Sequence, residues 1–206
     1  MKSEPKQTSI KRIFDISLSL ILLLITGWFI LLLILLAYID TGKGLFLQTR
    51  VGQYGNLFTI YKIRSMHKKD GNISNYGKFL RGSKLDELPQ LLNIVLGQMS
   101  FVGPRPDVPG YYDQLLGEAR KLLELKPGFC SRAALKYFNE EALLAAQQDP
   151  LYYNDTVVFP DKVQMNLEYY YNQSFLEDLR ILWKCFLRKT GNMDINKSRE
   201  NGDGKK

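Results

Sequence analysis

Between Asp15 and Asp40 the chain runs for 24 residues without a charged side chain, ISLSLILLLITGWFILLLILLAYI. As an α-helix this run would be about 36 Å long, enough to cross a hydrocarbon core of roughly 30 Å. A helix in a soluble core seldom goes so far without a charge, so the segment reads as membrane-inserted. It is too long for the apolar part of a typical signal peptide, and no small-residue A-x-A site follows it. The remainder has to fold around that fact. The chain has 206 residues, 45% hydrophobic and 24% charged, which suits one ordinary domain plus an appendage. Its two cysteines, Cys130 and Cys185, exclude a disulfide scaffold or a Cys-rich zinc site and suit a reducing compartment.

The charges pose a topological question. The net charge of +7 divides into +2 before the run, −1 at Asp40 and +6 after it. Both flanks are basic, so the positive-inside rule would keep each of them cytoplasmic. A spanning helix must export one flank, whereas a re-entrant helix satisfies both. Such a helix needs a bend near its middle, and Thr26–Gly27 is the candidate: glycine weakens the helix and threonine can bond back to a freed carbonyl. A plain transmembrane anchor is the alternative. The preceding segment TSIKRIFD, 8–15, reads as an amphipathic lead-in, with Lys11 and Arg12 at the headgroups and Ile10, Ile13 and Phe14 toward the acyl chains.

Beyond the run, residues 45–66 alternate as two strands around the turn residues Gly52–Asn56, a β-hairpin. Lys78–Leu96 reads as helix interrupted at Gly82–Ser83, with Ser83 capping a new helix, Pro89 in its first turns and Gly97 ending it. Residues 100–110, with three prolines and two glycines, read as irregular. Tyr111–Leu125 reads as helical, 126–128 as a turn and Asn139–Gln148 as a short helix. Val163–Leu187 reads as a long amphipathic helix broken at 172–174. The expected class is α+β: a lead-in and re-entrant membrane helix over 1–40, a small, mostly helical domain with a β-hairpin over 41–190, and a disordered polar tail over 191–206.

Three clusters carry chemistry. Asp86 and Glu87 sit together in RGSKLDELPQ, where one carboxylate can face a site while the other holds a metal or a base; alone, such a pair also suits a helix N-terminus. Pro104 and Pro106 stiffen the backbone around Arg105, as phosphate binding would want. Lys62 and Arg64 share one strand face. His67, the only histidine, lacks the partners of a Ser-His-Asp triad, and no P-loop or dinucleotide fingerprint is present. Nucleic-acid binding has only the charge in its favour, because no basic face carries interleaved aromatics.

Taken together, the motifs resemble those of the bacterial sugar transferases, the small monotopic phosphoglycosyl transferases. The resemblance runs from Lys11 to Trp183. It includes KRIFD at 11–15, then Phe46-x-Gln48-x-Arg50-x-Gly52 and Lys62-x-Arg64-Ser65-Met66. It continues through LDELPQ at 85–90, MSFVGPRP at 99–106 and Lys126-Pro127-Gly128. It implies an enzyme at the cytoplasmic face of the bacterial inner membrane that moves a sugar 1-phosphate from a UDP-sugar to a polyprenyl (undecaprenyl) phosphate and releases UMP. By motif, Asp86 would be the nucleophile, forming a phosphosugar–aspartyl intermediate, and Glu87 its partner and a ligand of Mg²⁺. Lys62, Arg64, Arg81 and Arg105 would neutralise phosphoryl charge. A homodimer and downstream glycosyltransferases are further candidate partners. Relatives bend the membrane helix at Ser-Pro, where this chain has Gly27-Trp28. The tracts 139–150 and 159–181 look like one subset of the family and would wall the sugar pocket, where Asp161 and Asn166 would either contact substrate or cap and solvate helices. The competing reading is a non-catalytic membrane scaffold that binds anionic lipid or partner proteins.

Overall fold

The computed structural model describes residues 9–67 and 71–189. The start of the lead-in, the Lys68-Lys69 pair and the tail from Gly191 lie outside the described residues. The described chain mixes helix and strand: a long apolar helix, α1 (Ser9–Thr41), lies along a small helical domain that contains a strand hairpin.

α1 is built from Leu- and Ile-rich sequence without proline, and its helical backbone is unbroken through Thr26–Gly27. Thr26 Oγ1 donates to the Leu22 carbonyl at 2.7 Å, a bond back within the helix rather than a gap in it. Gly42 ends the helix in the left-handed conformation, φ 76°, donating its N–H to Tyr38 O, as a glycine C-cap does. Lys11, Asp15, Ser19, Ile30, Leu33 and Ala37 are buried, and their spacing keeps them on one stripe. The opposite face is apolar and open, with Leu24 84% exposed beside Ile25, Trp28, Leu31 and Leu35. A water-facing stripe of this kind is foreign to soluble monomers. α1 is long and apolar enough to cross a membrane.

The lead-in differs from its sequence-based expectation. Lys11 is not at a headgroup. It is 4% exposed, and its Nζ lies 2.5 Å from Asp178 Oδ2 and donates to Val102 O at 3.1 Å. The Arg12 guanidinium donates to the carbonyls of Ile94 (2.7 Å) and Val95 (2.9 Å). Asp15 Oδ1 accepts the Phe101 N–H. Phe14 packs edge-on against Phe101 and Phe175 rather than toward lipid; Ile10 and Ile13 are exposed. The reason is electrostatic. Buried strand and helix-end carbonyls need donors, and the first turns of α1 supply them.

The hairpin forms as read. β1 (Leu45–Val51) pairs antiparallel with β2 (Leu57–Ile63), Leu45 opposite Ile63 and Val51 opposite Leu57, and Gly52 N donates to Asn56 O across the loop. Phe58, Ile60 and Ile63 are buried.

The next region is more finely divided than expected. α2 (Asn75–Ser83) starts on Ser74, whose hydroxyl accepts the Gly77 N–H, an N-cap. Ser83 lies inside α2 and bonds back to Phe79 O, so it caps no new helix. A 3₁₀ stretch, Leu85–Gln90, then leads into α3 (Leu91–Val95). Ser100–Val102 is not irregular. It forms β3, parallel to β4 (Gly128–Cys130). This pairing depends on two glycines: a Cβ on Gly103 would lie 2.2 Å from Lys126 O, and one on Gly128 would lie 2.1 Å from Gly103 N. Tyr111–Leu125 makes only 3₁₀ turns, Tyr112–Gln114 and Gly117–Glu124, because Gly117 takes φ 58° and breaks any longer helix.

α4 (Arg132–Lys136), α5 (Glu140–Ala145) and α6 (Pro150–Tyr153) precede a π-helical turn, Asn154–Val158. α7 (Phe159–Asn172) and α8 (Phe175–Lys189) close the domain, parted at Gln173–Ser174. One apolar core joins Phe58, Ile60, Ile94, Met99, Tyr169 and Ile181, and α1 adds Phe14, Leu18, Leu22 and Leu23 to its edge.

Lys11→Met should leave Asp178 buried without its cation and destabilise the protein by about 3–5 kcal/mol. Urea unfolding in detergent measures this. A loss below about 1 kcal/mol would return Lys11 to the surface.

Candidate active site

The segment LDELPQ begins where α2 ends. Lys84 takes the left-handed conformation, φ 57° and ψ 21°, and donates its N–H to Arg81 O and Leu80 O, which reverses the chain. The 3₁₀ geometry that follows stacks residues three apart. Leu85 and Leu88 pack against the cluster of Leu33, Ala37, Ile63 and Leu80. That leaves Asp86 and Glu87 on other sides of the turn, 3% and 4% exposed.

Two buried adjacent carboxylates need cations. β2 brings Lys62, whose Nζ is 3.1 Å from Asp86 Oδ2 and 3.4 Å from Glu87 Oε1. The loop after β3 brings Arg105, with Nη2 2.5 Å from Glu87 Oε1 and Nη1 3.5 Å from Oε2. This two-pronged grip suits a guanidinium. The paired carboxylates then differ in acidity. Burial alone would raise Glu87, but Arg105 and then Lys62 outweigh it and hold the group at about 2. Burial pushes Asp86 up, Lys62 opposes this, and the neighbouring Glu87 charge adds to it. Glu87 is thus a fixed anion. Asp86 is the more basic carboxylate, and its Oδ1 is buried without a hydrogen-bond partner among the described residues. Environments that push two carboxylates apart assign them different work.

Both face a cleft of about 940 Å³, large enough for a nucleotide-sized ligand. Lys62, Arg81, Arg105 and Pro106 line it with Asp86 and Glu87, and Arg81 is paired with Glu141. Arg64 and Pro104 are not among its lining residues. Arg64 lies 5.6 Å from the centre of the Phe46 ring, and its N–H donates to Gly44 O, which extends the hairpin pairing one step beyond Leu45 and Ile63. Pro104 O accepts the Gly128 N–H at 2.7 Å. Thr26 and Gly27 belong to the middle of α1, away from the cleft. Asn139, Glu140 and Glu141 form part of the wall. Asn166 lines it too, donating to the Tyr112 hydroxyl at 2.8 Å. Asp161 is instead held by Lys136 and the Tyr137 hydroxyl. His67 lies 3.8 Å from Asp40, outside the cleft. Sequence reasoning did not single out Arg50, Lys84 or Arg188, which also line it. Arg50 stood inside the Gln48-x-Arg50-x-Gly52 motif, and Lys84 adjoins Leu85; Arg188 had no local signal.

Among the described residues no group of three or more His, Cys, Asp or Glu side chains is arranged as a metal cage. Mg²⁺ needs none. It commonly takes one or two carboxylates and completes its shell with phosphate oxygens and water. The unpartnered Asp86 Oδ1 beside Glu87 fits a Mg²⁺ shared with a phosphorylated ligand.

Residues 6–191 match the bacterial sugar transferase family. The exopolysaccharide production protein PSS of Rhizobium leguminosarum bv. phaseoli is 37% identical over 147 residues, 62% of this chain and 74% of that protein. The uncharacterized sugar transferase EpsL of Bacillus subtilis (strain 168) is 31% identical over 184 residues, 84% of this chain and 83% of EpsL. The UDP-glucose:undecaprenyl-phosphate glucose-1-phosphate transferase of Klebsiella pneumoniae is 34% identical over 203 residues, 87% of this chain but 41% of that enzyme.

The acidity of Glu87 predicts a pH effect. Its folded value of about 2 lies below the ordinary 4.5. It therefore contributes stability that is full above pH 4.5 and lost as pH falls toward 2, about 3 kcal/mol in all. Glu87→Gln should unfold with a flatter acid limb than the parent between pH 5 and 3, followed by thermal denaturation. Parallel limbs would mean that Glu87 carries no such charge.

Proposed function

The chain belongs to the bacterial sugar transferases and is a phosphoglycosyl transferase, and from that premise we propose that it transfers a sugar 1-phosphate from a UDP-sugar to undecaprenyl phosphate. The observation that carries this reading is the unpartnered Asp86 Oδ1 at a cleft lined by Lys62, Arg81 and Arg105.

Asp86 attacks the phosphorus that bears the sugar. A bond forms from its carboxylate oxygen to phosphorus, the bond to the bridging oxygen breaks, and UMP leaves with the electron pair. An oxygen of undecaprenyl phosphate then attacks the same phosphorus, and Asp86 leaves as a carboxylate. A carboxylate is a weak nucleophile, so the phosphoryl oxygens need neutralising. Lys62 does this beside Asp86, and Arg105, held by Glu87, presents its guanidinium to the cleft. Asp86 and Glu87 would hold Mg²⁺, which supplies Lewis-acid neutralisation of phosphoryl charge when bound. The raised pKa of Asp86 keeps it a better nucleophile than Glu87. A scaffold that only bound lipid headgroups would have no use for a buried carboxylate pair gripped by two cations.

The same reading places both ends of α1 on the cytoplasmic side. The first turns are bonded to Ile94, Val95, Val102 and Asp178. Near the other end Tyr76 donates to Leu33 O and Ser74 to Asp40. One domain grips both ends, which supports both flanks on the same side of the membrane over a spanning helix, with α1 unbroken at Thr26–Gly27 where a bend was expected.

A panel of UDP-sugars assayed with undecaprenyl phosphate should release UMP for at least one sugar, and chelation by EDTA should stop it. Asp86→Asn should fold and show neither turnover nor a phosphosugar adduct; full activity of that variant would falsify the mechanism. For topology, Ser3→Cys and Glu200→Cys, each made in a Cys130→Ser, Cys185→Ser background, should both resist an impermeant thiol reagent in intact cells. Labelling of either one means a spanning helix.

A further inference from the structure

The cations of the cleft are mostly committed. Lys62 pairs with Asp86 and Glu87, Arg105 with Glu87, Arg81 with Glu141, Lys162 with Glu140, and Arg50 with Asp107. Lys84 and Arg188 differ. Both line the cleft. Both lie over the ring of Phe138, 5.8 Å and 5.0 Å from its centre. Neither has a carboxylate within ion-pairing distance among the described residues, and Arg188 donates instead to the Leu135 carbonyl.

Two cations around one ring repel each other, and the ring face offsets only part of this. A third observation concerns the backbone. Glycine or asparagine takes the left-handed cap at little cost, yet this chain holds a lysine there at φ 57°. Strain at a site of this kind points to use of the side chain. The Lys84 charge acts on Asp86, Glu87 and Glu141, which places its ammonium toward the carboxylate side of the cleft.

We propose that Lys84 and Arg188 form a second anion subsite in the cleft, separate from Lys62 and Arg105, which takes a phosphate group of one of the two substrates. Arginine offers a planar fork and lysine a point charge, and together they suit a phosphate with several oxygens. The identity of the phosphate rests on the reaction proposed above; the existence of the anion subsite does not. The two substrates each bring phosphate, the UDP-sugar as a diphosphate and the lipid carrier as a monoester.

The test uses the full chain in detergent. Inorganic pyrophosphate is the binding probe, measured by calorimetry on the parent, Lys84→Asn, Lys84→Arg and Arg188→Gln. Asparagine tolerates the left-handed backbone, so Lys84→Asn removes charge with little strain, and Arg188→Gln tests the other cation if the Lys84 variant fails to fold. Pyrophosphate should bind about tenfold more weakly to Lys84→Asn and to Arg188→Gln, and Lys84→Arg should recover most of this. In steady-state assays KM should rise with little change in kcat. A rise in KM for the UDP-sugar assigns the subsite to the donor, and a rise for undecaprenyl phosphate assigns it to the acceptor. Binding within twofold of the parent for both neutral variants, with both KM values unchanged, overturns the proposal. A parent that binds pyrophosphate through these cations but turns over no UDP-sugar would sink the proposed reaction and leave the subsite standing.

Discussion

The fold depends on a clamp between the first turns of α1 and the scaffold of the cleft. Lys11 reaches Val102 O and Asp178, Arg12 reaches the carbonyls that end α3, and Asp15 accepts from Phe101 N. Those three side chains touch the chain on both sides of the chemistry. α3 follows directly from LDELPQ, and β3 leads directly into the loop of Arg105. α1 is therefore part of the frame that positions both LDELPQ and Arg105. Burial pushes Asp178 up even with Lys11 and Tyr169 opposing it, so the pair is expensive to bury. A buried pair of this sort is weak as a source of stability and stronger as a specifier of one arrangement.

Within that frame, position separates the chemistry of two like groups. Asp86 and Glu87 are neighbours in sequence and equally buried, yet Arg105 and Lys62 converge on Glu87, while Asp86 has Lys62 on one oxygen only. The asymmetry arises from where the cations sit: Lys62 lies between the two carboxylates, and Arg105 bonds Glu87. An α-helical turn would set adjacent side chains about 100° apart, and the tighter winding sets them about 120° apart. Pro89 and the reversal at Lys84 hold the turn in that form.

Much of this was legible in the sequence where the signal was local. The hairpin announced itself by alternation and by the turn residues between its strands, and the break between α7 and α8 by its polar residues. A helix long and apolar enough to cross a membrane was plain from the uncharged run. Failures came where the deciding partner is remote. A basic pair ahead of an apolar run looks the same whether it meets headgroups or buried carbonyls, and the partner of Lys11 lies 167 residues away. β3 has three residues and pairs with a strand across an intervening loop, too short for any periodicity to show. Gly117 looked like a tolerated helix residue until its positive φ split the segment. At the cleft, Asp86, Glu87 and Arg105 stood out as local clusters and took on specific roles through the joint motifs, and Arg188 had no neighbour in sequence to mark it.

The length of the Lys11–Asp178 connection also sets an order of assembly. During synthesis α1 leaves the ribosome long before α8 exists, and at ordinary elongation rates the interval is on the order of ten seconds. In the later part of that time Asp15 can meet Phe101 N and Lys11 the Val102 carbonyl, but Lys11 has no carboxylate to pair with. Only the arrival of α8 supplies Asp178. The clamp is thus completed only once nearly all of the described chain has been made.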